Sequence, residues 1–439
     1  MMKKIISLFV VLFLMVSAMP FSAAGAFKGQ QTVMYDFSDG DGEVETIVIS
    51  TPQQLQNIEN NLSANYILAN DLDMIGFSFS SIGQSSAFTG RFDGRNYAIS
   101  NLTISSTNNV GLFGIIDSAL VMNAVLRYSS ISGSGNVAGI VGSSVYGIIY
   151  NCYFGGEVKG TEFVGGICGF NYHGTIFSGL SEGEITGGEY VGGICGVCSY
   201  GEMIYCENDA EVNGTVIDTG GICGQNFSST IVKSYNVGSV SGAENTGGIA
   251  GSSDKGITSC YNIGAVSGDE STGGIVGENY QYGLTDDCYN AATISGSSYT
   301  GAVAGLNHGD VKNCYFMISD MLELPSTGGG EGDENNCVGL YAYQMTGTHE
   351  SGRAEDCMES FDFIEIWATY EDDEDADPSV YYFPQLICML NDPNSPTDYD
   401  IKYWPKTSEK GLSAEMVFIT EGVSTVVKWL CAVTLIISH

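Results

Sequence analysis

Gly193-Ile194-Cys195-Gly196 is one copy of a short phrase that returns eight times between residues 111 and 305. Close relatives of it are Gly166-Ile167-Cys168-Gly169, Gly221-Ile222-Cys223-Gly224, Gly248-Ile249-Ala250-Gly251 and Gly274-Ile275-Val276-Gly277. The closing glycines follow one another at intervals of 26 to 28 residues. A period this steady indicates one supersecondary unit that is copied along an axis.

Two further columns keep the same period. The first contains β-branched residues that lie two positions before a glycine: Val158, Ile185, Val212, Val240, Val266 and Ile294. The second contains small residues and thiols: Cys152, Ser178, Cys206, Ser234, Cys260, Cys288 and Cys314. Each unit therefore holds three short apolar runs separated by turn residues, which is the pattern of strands rather than helices.

Such units cannot bury their own apolar side chains, but stacking places Ile on Ile in continuous columns. We therefore predict an all-β fold, a parallel β-solenoid with three short strands per turn, a small N-terminal cap and an irregular C-terminal cap. We expect Ile222 to point into the core, Ser253 to lie on an outer turn, and the glycines to occupy corners that need positive φ. A propeller is excluded, because its blades need about 40–50 residues each.

The repeats resemble those of the GLUG-motif family of secreted and cell-surface proteins of bacteria and archaea. The resemblance is carried by Gly-Leu/Ile-x-Gly and by the longer stretch from Cys260-Tyr261-Asn262 to Gly274-Ile275-Val276-Gly277. It extends from about residue 45 to about residue 390. It implies the solenoid architecture and an extracellular location, and it implies no activity, since the family's repeats carry no catalytic signature.

The chain divides into six segments. Residues 1–26 have a basic start, an apolar run and an Ala-x-Ala end, which predict a signal peptide; an uncleaved membrane anchor is the alternative. Residues 27–104 form the N-terminal cap and first turns, with a brief helix that begins at Thr51-Pro52, and residues 105–316 form the repeats. Residues 317–337 read as a Gly- and acid-rich linker, residues 338–412 as a C-terminal capping segment, and residues 413–439 as an unassigned tail. Within the capping segment, Phe361 and Trp367 are expected to cover the last turn.

The formal charge is −36 in 439 residues. Such a charge argues against nucleic acid and anionic membrane surfaces as partners, because both would repel the chain. We expect no membrane insertion once the signal peptide is removed. The composition and the leader together predict a secreted or cell-surface protein.

The thirteen cysteines permit two interpretations. In a secreted protein the default is a disulfide framework. Here most cysteines recur at repeat phase, and side chains in register on parallel strands approach each other poorly for a disulfide. We therefore favour buried thiols. Only Cys195 and Cys198 form a CxxC pair, so a zinc site is not expected.

No catalytic, metal or cofactor site can be assigned, and the ligand-binding residues are unknown at this stage. The four histidines are scattered, and no hydrolase or phosphate-loop motif is present. Carboxylates recur four residues before the phrase, where a calcium site is the alternative to an acidic surface: Glu162, Glu189, Glu244 and Glu270, with Ile217 and Ser298 as interruptions. Asp71 and Asp73 are expected to lie on a solvated strand edge. The acidic surface is favoured.

The sequence thus favours a binding, adhesion or structural module that acts on an extended polymer such as a glycan, or on another surface protein. A β-helix lyase or hydrolase that acts on surface polysaccharide is the alternative. An enzyme needs one turn that is unlike the others, and the repeat pattern shows none.

Overall fold

The computed structural model describes residues 46–319, 324–345, 354–362, 366–368, 381–382, 384–386, 403–408 and 411–416. The expected signal peptide and most of the tail lie outside these residues. Within them the chain is almost entirely β, and parallel strands stack in register into a β-solenoid of about ten turns. The predicted fold class is confirmed.

One side of each turn belongs to a nine-stranded parallel sheet. Its strands are Phe113–Asp117, Val141–Val145, Cys168–Tyr172, Cys195–Ser199, Cys223–Phe227, Ala250–Ser253, Val276–Asn279, Ala304–Asn307 and Thr327–Gly329. Neighbouring turns pair residue by residue, for example Cys168 with Cys195 and Cys195 with Cys223. This sheet carries the surface described below.

The other sides of the turns belong to one large sheet of 31 strands, several of which run around a corner. The strands of its first side are Thr46–Ile49, Asn65–Leu68, Arg91–Asp93, Leu120–Met122, Ile148–Lys159, Thr175–Gly192, Glu202–Ile204, Thr230–Val232, Gly256–Thr258, Leu284–Asp286, Asp310–Lys312 and Asp333–Asn335. They are followed by Leu72–Asp73, Ala98–Ser100, Val125–Ser132, Glu207–Gly220, Tyr235–Asn236, Tyr261–Asn262, Tyr289–Asn290, Tyr315–Ile318 and Val338–Tyr341. The remaining strands are Thr103–Ser105, Asn108–Val110, Gly135–Ala138, Glu162–Gly165, Val240–Ser241, Glu244–Gly247, Val266–Ser267, Glu270–Gly273, Ile294–Ser295 and Ser298–Gly301.

Several turns contain more strands than the three that the sequence predicts. Residues 250–273, for instance, contain five short strands. Three columns of residues in the left-handed region make the corners. They are Asn123, Asn151, Ser178, Tyr205, Lys233, Ser259, Asp287, Asn313 and Asn336; Asn109, Asn136, Phe163, Tyr190, Asp218, Asn245, Ser271 and Tyr299; and Ser118, Tyr146, His173, Tyr200 and Ser228.

The expected role of the phrase glycines was therefore wrong. The corners carry side chains, and none of the phrase glycines has a positive φ. Glycine is needed there because backbones approach closely: a Cβ on the phrase glycine Gly248 would lie 2.2 Å from the carbonyl oxygen of Gly274, and one on the preceding Gly247 would lie 2.0 Å from that of Ala250. Even alanine cannot occupy such a position without displacing main chain.

The core is a set of stacked aliphatic columns, as predicted. The central isoleucines are completely buried, including Ile194, Ile222 and Ile249. A ladder of buried asparagines lies beside them, with Nδ2 to Oδ1 distances of 2.7, 2.8 and 2.9 Å along Asn208, Asn236, Asn262 and Asn290. Each amide satisfies its neighbour, so the polar column costs little desolvation.

The cysteines lie where small core residues are needed. Cys168, Cys195 and Cys223 stack in register and are continued by Ala250 and Val276. The other column differs from the expectation at one turn, because Cys152 pairs with Gly179 and not with Ser178. Ser178 instead occupies the corner. These columns are buried thiols in the structure.

The N-terminal cap forms as predicted. Thr51 caps the helix Pro52–Gln56, accepting a hydrogen bond from the Gln54 N–H at 3.3 Å, and a 3₁₀ turn, Asn57–Asn60, follows. Leu55 and Ile58 from these two turns are fully buried. They cover the apolar interior at this end of the solenoid.

Three expectations for the later chain need correction. Thr327–Gly329 pairs with the strand of Ala304, and Asp333–Asn335 with the strand of Asp310, so this part of the predicted linker 317–337 is a further solenoid turn. Ser253 is buried, not on an outer turn, because its strand continues past the phrase. Phe361 and Trp367 pack against the side of several turns and not on the last one.

The remaining described elements are short. They are the helices Ala342–Met345 and Ala354–Cys357, the antiparallel pair Trp367–Ala368 with Gln385–Leu386, and the strands Tyr381–Tyr382, Tyr403–Ser408 and Gly411–Met416. Among the described residues, no helix has both the length and the apolar character to span a membrane.

Candidate binding surface

The carboxylate columns form as the sequence predicted. Glu162 pairs with Glu189, and Glu244 with Glu270. Ile217 stands between Glu189 and Glu244. In the part of the chain that the structure describes, no group of three or more acidic, histidine or cysteine side chains is placed to hold a metal ion.

A second carboxylate column was missed by the sequence analysis. Glu157, Glu184 and Glu211 stack in register. Each carboxylate accepts a hydrogen bond from the side chain two positions further on, which is Lys159, Thr186 or Asn213. The recurring tripeptides Glu-x-Lys, Glu-x-Thr and Glu-x-Asn are the sequence pattern from which this column could have been predicted. These local bonds identify the column as a solvated acidic face.

Asp71 and Asp73 are exposed beside and on the strand Leu72–Asp73, as expected, and both carboxylates accept hydrogen bonds. The Asp71 carboxylate accepts from the Ala98 N–H at 2.8 Å. Asp73 accepts from Asn101 Nδ2 at 2.9 Å and from the Ile75 N–H at 3.1 Å, and these two hydrogen bonds lower the pKa of Asp73. Both carboxylates hold one turn to the next.

The most distinctive feature of the exterior is a group of rings on the nine-stranded sheet and its two corners. We call this group the aromatic surface; it consists of Tyr146, Phe163, Phe170, Tyr172, His173, Tyr190, Tyr200 and Phe227. At one corner His173 is stacked between Tyr146 and Tyr200, with ring centroids 5.0 and 5.1 Å apart and planes within 15°. These spacings follow the rise of the solenoid.

The rings continue across the sheet to the opposite corner. Tyr172 stands edge-on to His173 at 4.4 Å, and Phe170 lies 6.4 Å from Tyr172 on the same strand. Phe163, 5.7 Å from Phe170, is stacked on Tyr190 at 5.3 Å. Side chains two apart on a strand share a face, which is why a single strand can join the two corners.

This surface is confined to neighbouring turns. Most of the same corner positions elsewhere are held by small polar residues such as Ser118, Ser228, Asn136 and Asn245, although Tyr299 occupies one in a distant turn. Bulky residues with positive φ are uncommon and strained, and strain of this kind is concentrated at functional sites. The turns are thus not all alike, which the sequence analysis missed because the corner register was not known.

The aromatic surface is open to solvent. Tyr146, Tyr200 and Phe227 expose 44%, 50% and 41% of their surface. Because the stacked rings contact one another through their faces, their edges are left to solvent, and Tyr146, Tyr190 and Tyr200 among them carry phenol hydroxyls. Apolar edges and evenly spaced hydroxyls are the groups that a polyhydroxylated chain running along the axis could contact.

Carboxylates surround one end of the surface. Burial raises the pKa of the Tyr190 hydroxyl, and the negative charges of Asp218, Glu189 and Glu162 raise it further. Asp218 is itself buried, and that burial raises its pKa to about 6 although Asn245, Ser252 and Gln225 donate to it at 2.9, 2.8 and 3.1 Å. The acidic rim disfavours anionic ligands.

Fold and surface together define a β-solenoid repeat protein with one aromatic face. No family model matches the chain. It is 35% identical over 131 residues to halomucin of Haloquadratum walsbyi, and 31% identical over 130 residues to a "Putative Gly-rich membrane protein" of Evansella cellulosilytica. Each match covers 26% of this chain, but only 1% and 15% of those proteins.

One solved structure is similar over most of the chain. It is described as a "putative immunoglobulin A1 protease" from Bacteroides ovatus, and the match covers 79% of this chain and 93% of that one, at 19% identity and a TM-score of 0.40. A likeness at this score gives no information on activity.

Proposed function

We propose that this chain is a secreted or cell-surface binding module whose aromatic surface holds an extended polymer, a glycan in first place. The observation that carries the proposal is the aromatic surface itself: eight rings gathered on adjoining turns, five of them at corner positions where most other turns carry Ser or Asn. The signal-like leader supports secretion. The resemblance to GLUG-motif repeats and the membrane protein among the similar sequences support the same location.

Glycan binding follows from the chemistry of these groups. Aromatic side chains gain free energy from contact with the apolar C–H faces of sugars, and tyrosine hydroxyls hydrogen-bond at the periphery. Each ring contributes little, so a polymer that touches several turns gains affinity by multivalency. Another surface protein is the alternative partner.

Catalysis is the less favoured function. Asp218, with its raised pKa, is the carboxyl nearest the surface that could act as an acid, but it is almost fully buried and accepts three hydrogen bonds. The Glu162 and Glu189 pair has no described partner that would fix it in one geometry. A lyase or hydrolase needs such positioning.

The test measures binding of the full secreted protein to a panel of neutral and anionic polysaccharides. We expect Tyr200→Ala to weaken binding about tenfold, which corresponds to roughly 1.4 kcal/mol. Tyr282→Ala is the matched control, because Tyr282 is 80% exposed and lies outside the aromatic surface. Equal affinities of the two variants would contradict the proposal. Release of reducing ends by the protein would favour the enzyme instead.

A further inference from the structure

A second column of rings lies on the opposite sheet. We call Tyr235, Tyr261, Tyr289 and Tyr315 the tyrosine column; they pair in register on successive turns. The first three rings are nearly parallel, with centroids 4.7 and 5.0 Å apart. Cys260 and Asn262 belong to the core, so Tyr261 between them points outward. Even so, Tyr289 has no exposed surface.

Residues from the C-terminal part of the chain cover this column. We call residues 354–362 and 366–368 the clasp. Trp367 is completely buried, with its ring 5.5 Å from Tyr289 and 6.2 Å from Tyr261. Phe361 stacks on Trp367 at 4.5 Å and stands edge-on to Tyr315 at 4.9 Å. The clasp thus spans three turns from the side.

Side chains provide three of the hydrogen bonds that attach this region. Trp367 Nε1 donates to Asp287 Oδ2 at 3.3 Å. The Tyr315 hydroxyl accepts from the Ser360 N–H at 3.1 Å, and the Tyr289 hydroxyl donates to the Pro384 carbonyl at 2.6 Å. Trp367–Ala368 forms its own antiparallel pair with Gln385–Leu386 and not a rung of the solenoid. Detachment of the clasp would therefore leave the solenoid ladder intact.

Asp287 lies at the centre of this attachment. Oδ2 also accepts from Ser259 Oγ at 2.9 Å, whereas Oδ1 is buried without a hydrogen-bond partner among the described residues. The titratable groups that act on it are Asp286, its neighbour, and Cys314 of the next turn, and neither can supply a positive charge. Burial raises the pKa of Asp287 to about 7.

We propose that the clasp is releasable, that it closes when Asp287 carries a proton, and that its opening exposes the tyrosine column to solvent. A protonated carboxyl can stay buried beside the indole. An ionised one there lacks enough donors, and a buried charge without them is costly. When the clasp opens, water reaches Asp287 and removes that cost.

The direction of the pH effect follows from linkage. A carboxyl whose pKa is higher in the closed state than its ordinary value near 3.9 favours closure at low pH. The free energy that protonation of Asp287 contributes to closure is fully present below about pH 4 and is lost as the pH rises through about 7. The clasp should therefore be closed in acidic solution, open progressively as the pH rises from about 4 to about 7, and change no further above that.

Trp367 reports on the closure directly. In the full chain with Trp404→Phe and Trp429→Phe, its emission should shift to the red as the pH rises from 5 to 8, with most of the change below about pH 7, while the far-UV circular dichroism stays constant. Asp287→Asn should remove this transition and keep the emission blue-shifted throughout. Asp269→Asn is the control, because Asp269 is an exposed carboxylate of the solenoid and its loss should leave the transition in place.

Two outcomes would overturn the proposal: emission that does not change with pH, or a transition that persists in Asp287→Asn. Hydrogen exchange of the unsubstituted protein provides the second measurement if that variant does not fold. After correction for intrinsic rates, amides of residues 354–362 and 366–368 should lose protection at least tenfold from pH 5 to pH 8. Unchanged protection would equally overturn it.

Discussion

The aromatic surface and the tyrosine column have the same construction but differ in their exposure to solvent. Both consist of rings that a parallel ladder stacks at about 5 Å. Tyr200 in the first is half exposed, whereas Tyr289 in the second is fully covered. Periodicity alone therefore produces a ring column, and the neighbouring chain determines whether the column stabilises the fold or meets a ligand.

The difference also appears in the surroundings of the rings. The tyrosine column contacts Phe361 and Trp367 and contributes to a second apolar cluster outside the solenoid core. The aromatic surface has strained corners, an acidic rim and open edges. A ring column should thus be interpreted together with whatever covers it, because stacking distances do not distinguish the two cases.

The largest expected effect is a difference in the stability lost when one ring is removed from each group. Tyr289→Ala removes a buried ring and its hydrogen bond to Pro384, so the free energy of unfolding should fall by about 3–5 kcal/mol. Tyr200→Ala removes one exposed stacking partner and should cost only about 0.5–1.5 kcal/mol. Denaturant unfolding of both variants gives the comparison. Equal losses would mean that Tyr200 is also structural.

A smaller loss of stability is expected when the close packing of the backbone, on which both ring groups depend, is disturbed. Gly247→Ala places a methyl group against the Ala250 carbonyl oxygen and should destabilise the protein by about 1–3 kcal/mol. Gly256→Ala is the control, because its nearest atom would be 3.6 Å away, an ordinary contact. Thermal melts of the two variants give the result. A neutral Gly247→Ala would show that close backbone approach is not what requires glycine at this position.

The smallest effect concerns the thiols beneath both columns. Burial raises the pKa of Cys152, Cys198 and Cys206 to about 12 each, so few thiolates exist at neutral pH. Strong reductant should leave the melting temperature unchanged, and alkylation should reach these residues only on unfolding. A fall of several degrees on reduction would instead establish disulfides.

Much of the fold could be predicted because the repeat encodes it. The period, the buried isoleucines, the thiol columns and the helix after Thr51 all follow from residue types at fixed phase. The corners could not be predicted, because side chains occupy left-handed positions where glycine was expected. The aromatic surface can be recognised only when the register shows that Tyr146, His173 and Tyr200 lie in one column. The sequence alone does not connect these three residues.

Contacts between distant segments were also beyond the sequence. The packing of Trp367 beside Asp287 joins residues 80 apart, and no periodicity links them. The linker prediction failed for a related reason. Residues 327–335 lack the apolar phase of the repeat, yet backbone pairing, which does not depend on side chains, extends the ladder through them.

The close approach at Gly247 has an evolutionary consequence. The glycine that precedes the phrase, as at Gly220, Gly247 and Gly273, fits against a carbonyl of its own turn, and each strand residue faces its equivalent in the next turn. Loss of a single codon would turn every following side chain of that strand to the wrong face, whereas loss or duplication of a whole turn restores all contacts. Genes for such chains can therefore lengthen or shorten by unequal recombination in steps of one turn, and the number of turns can change while the fold is retained.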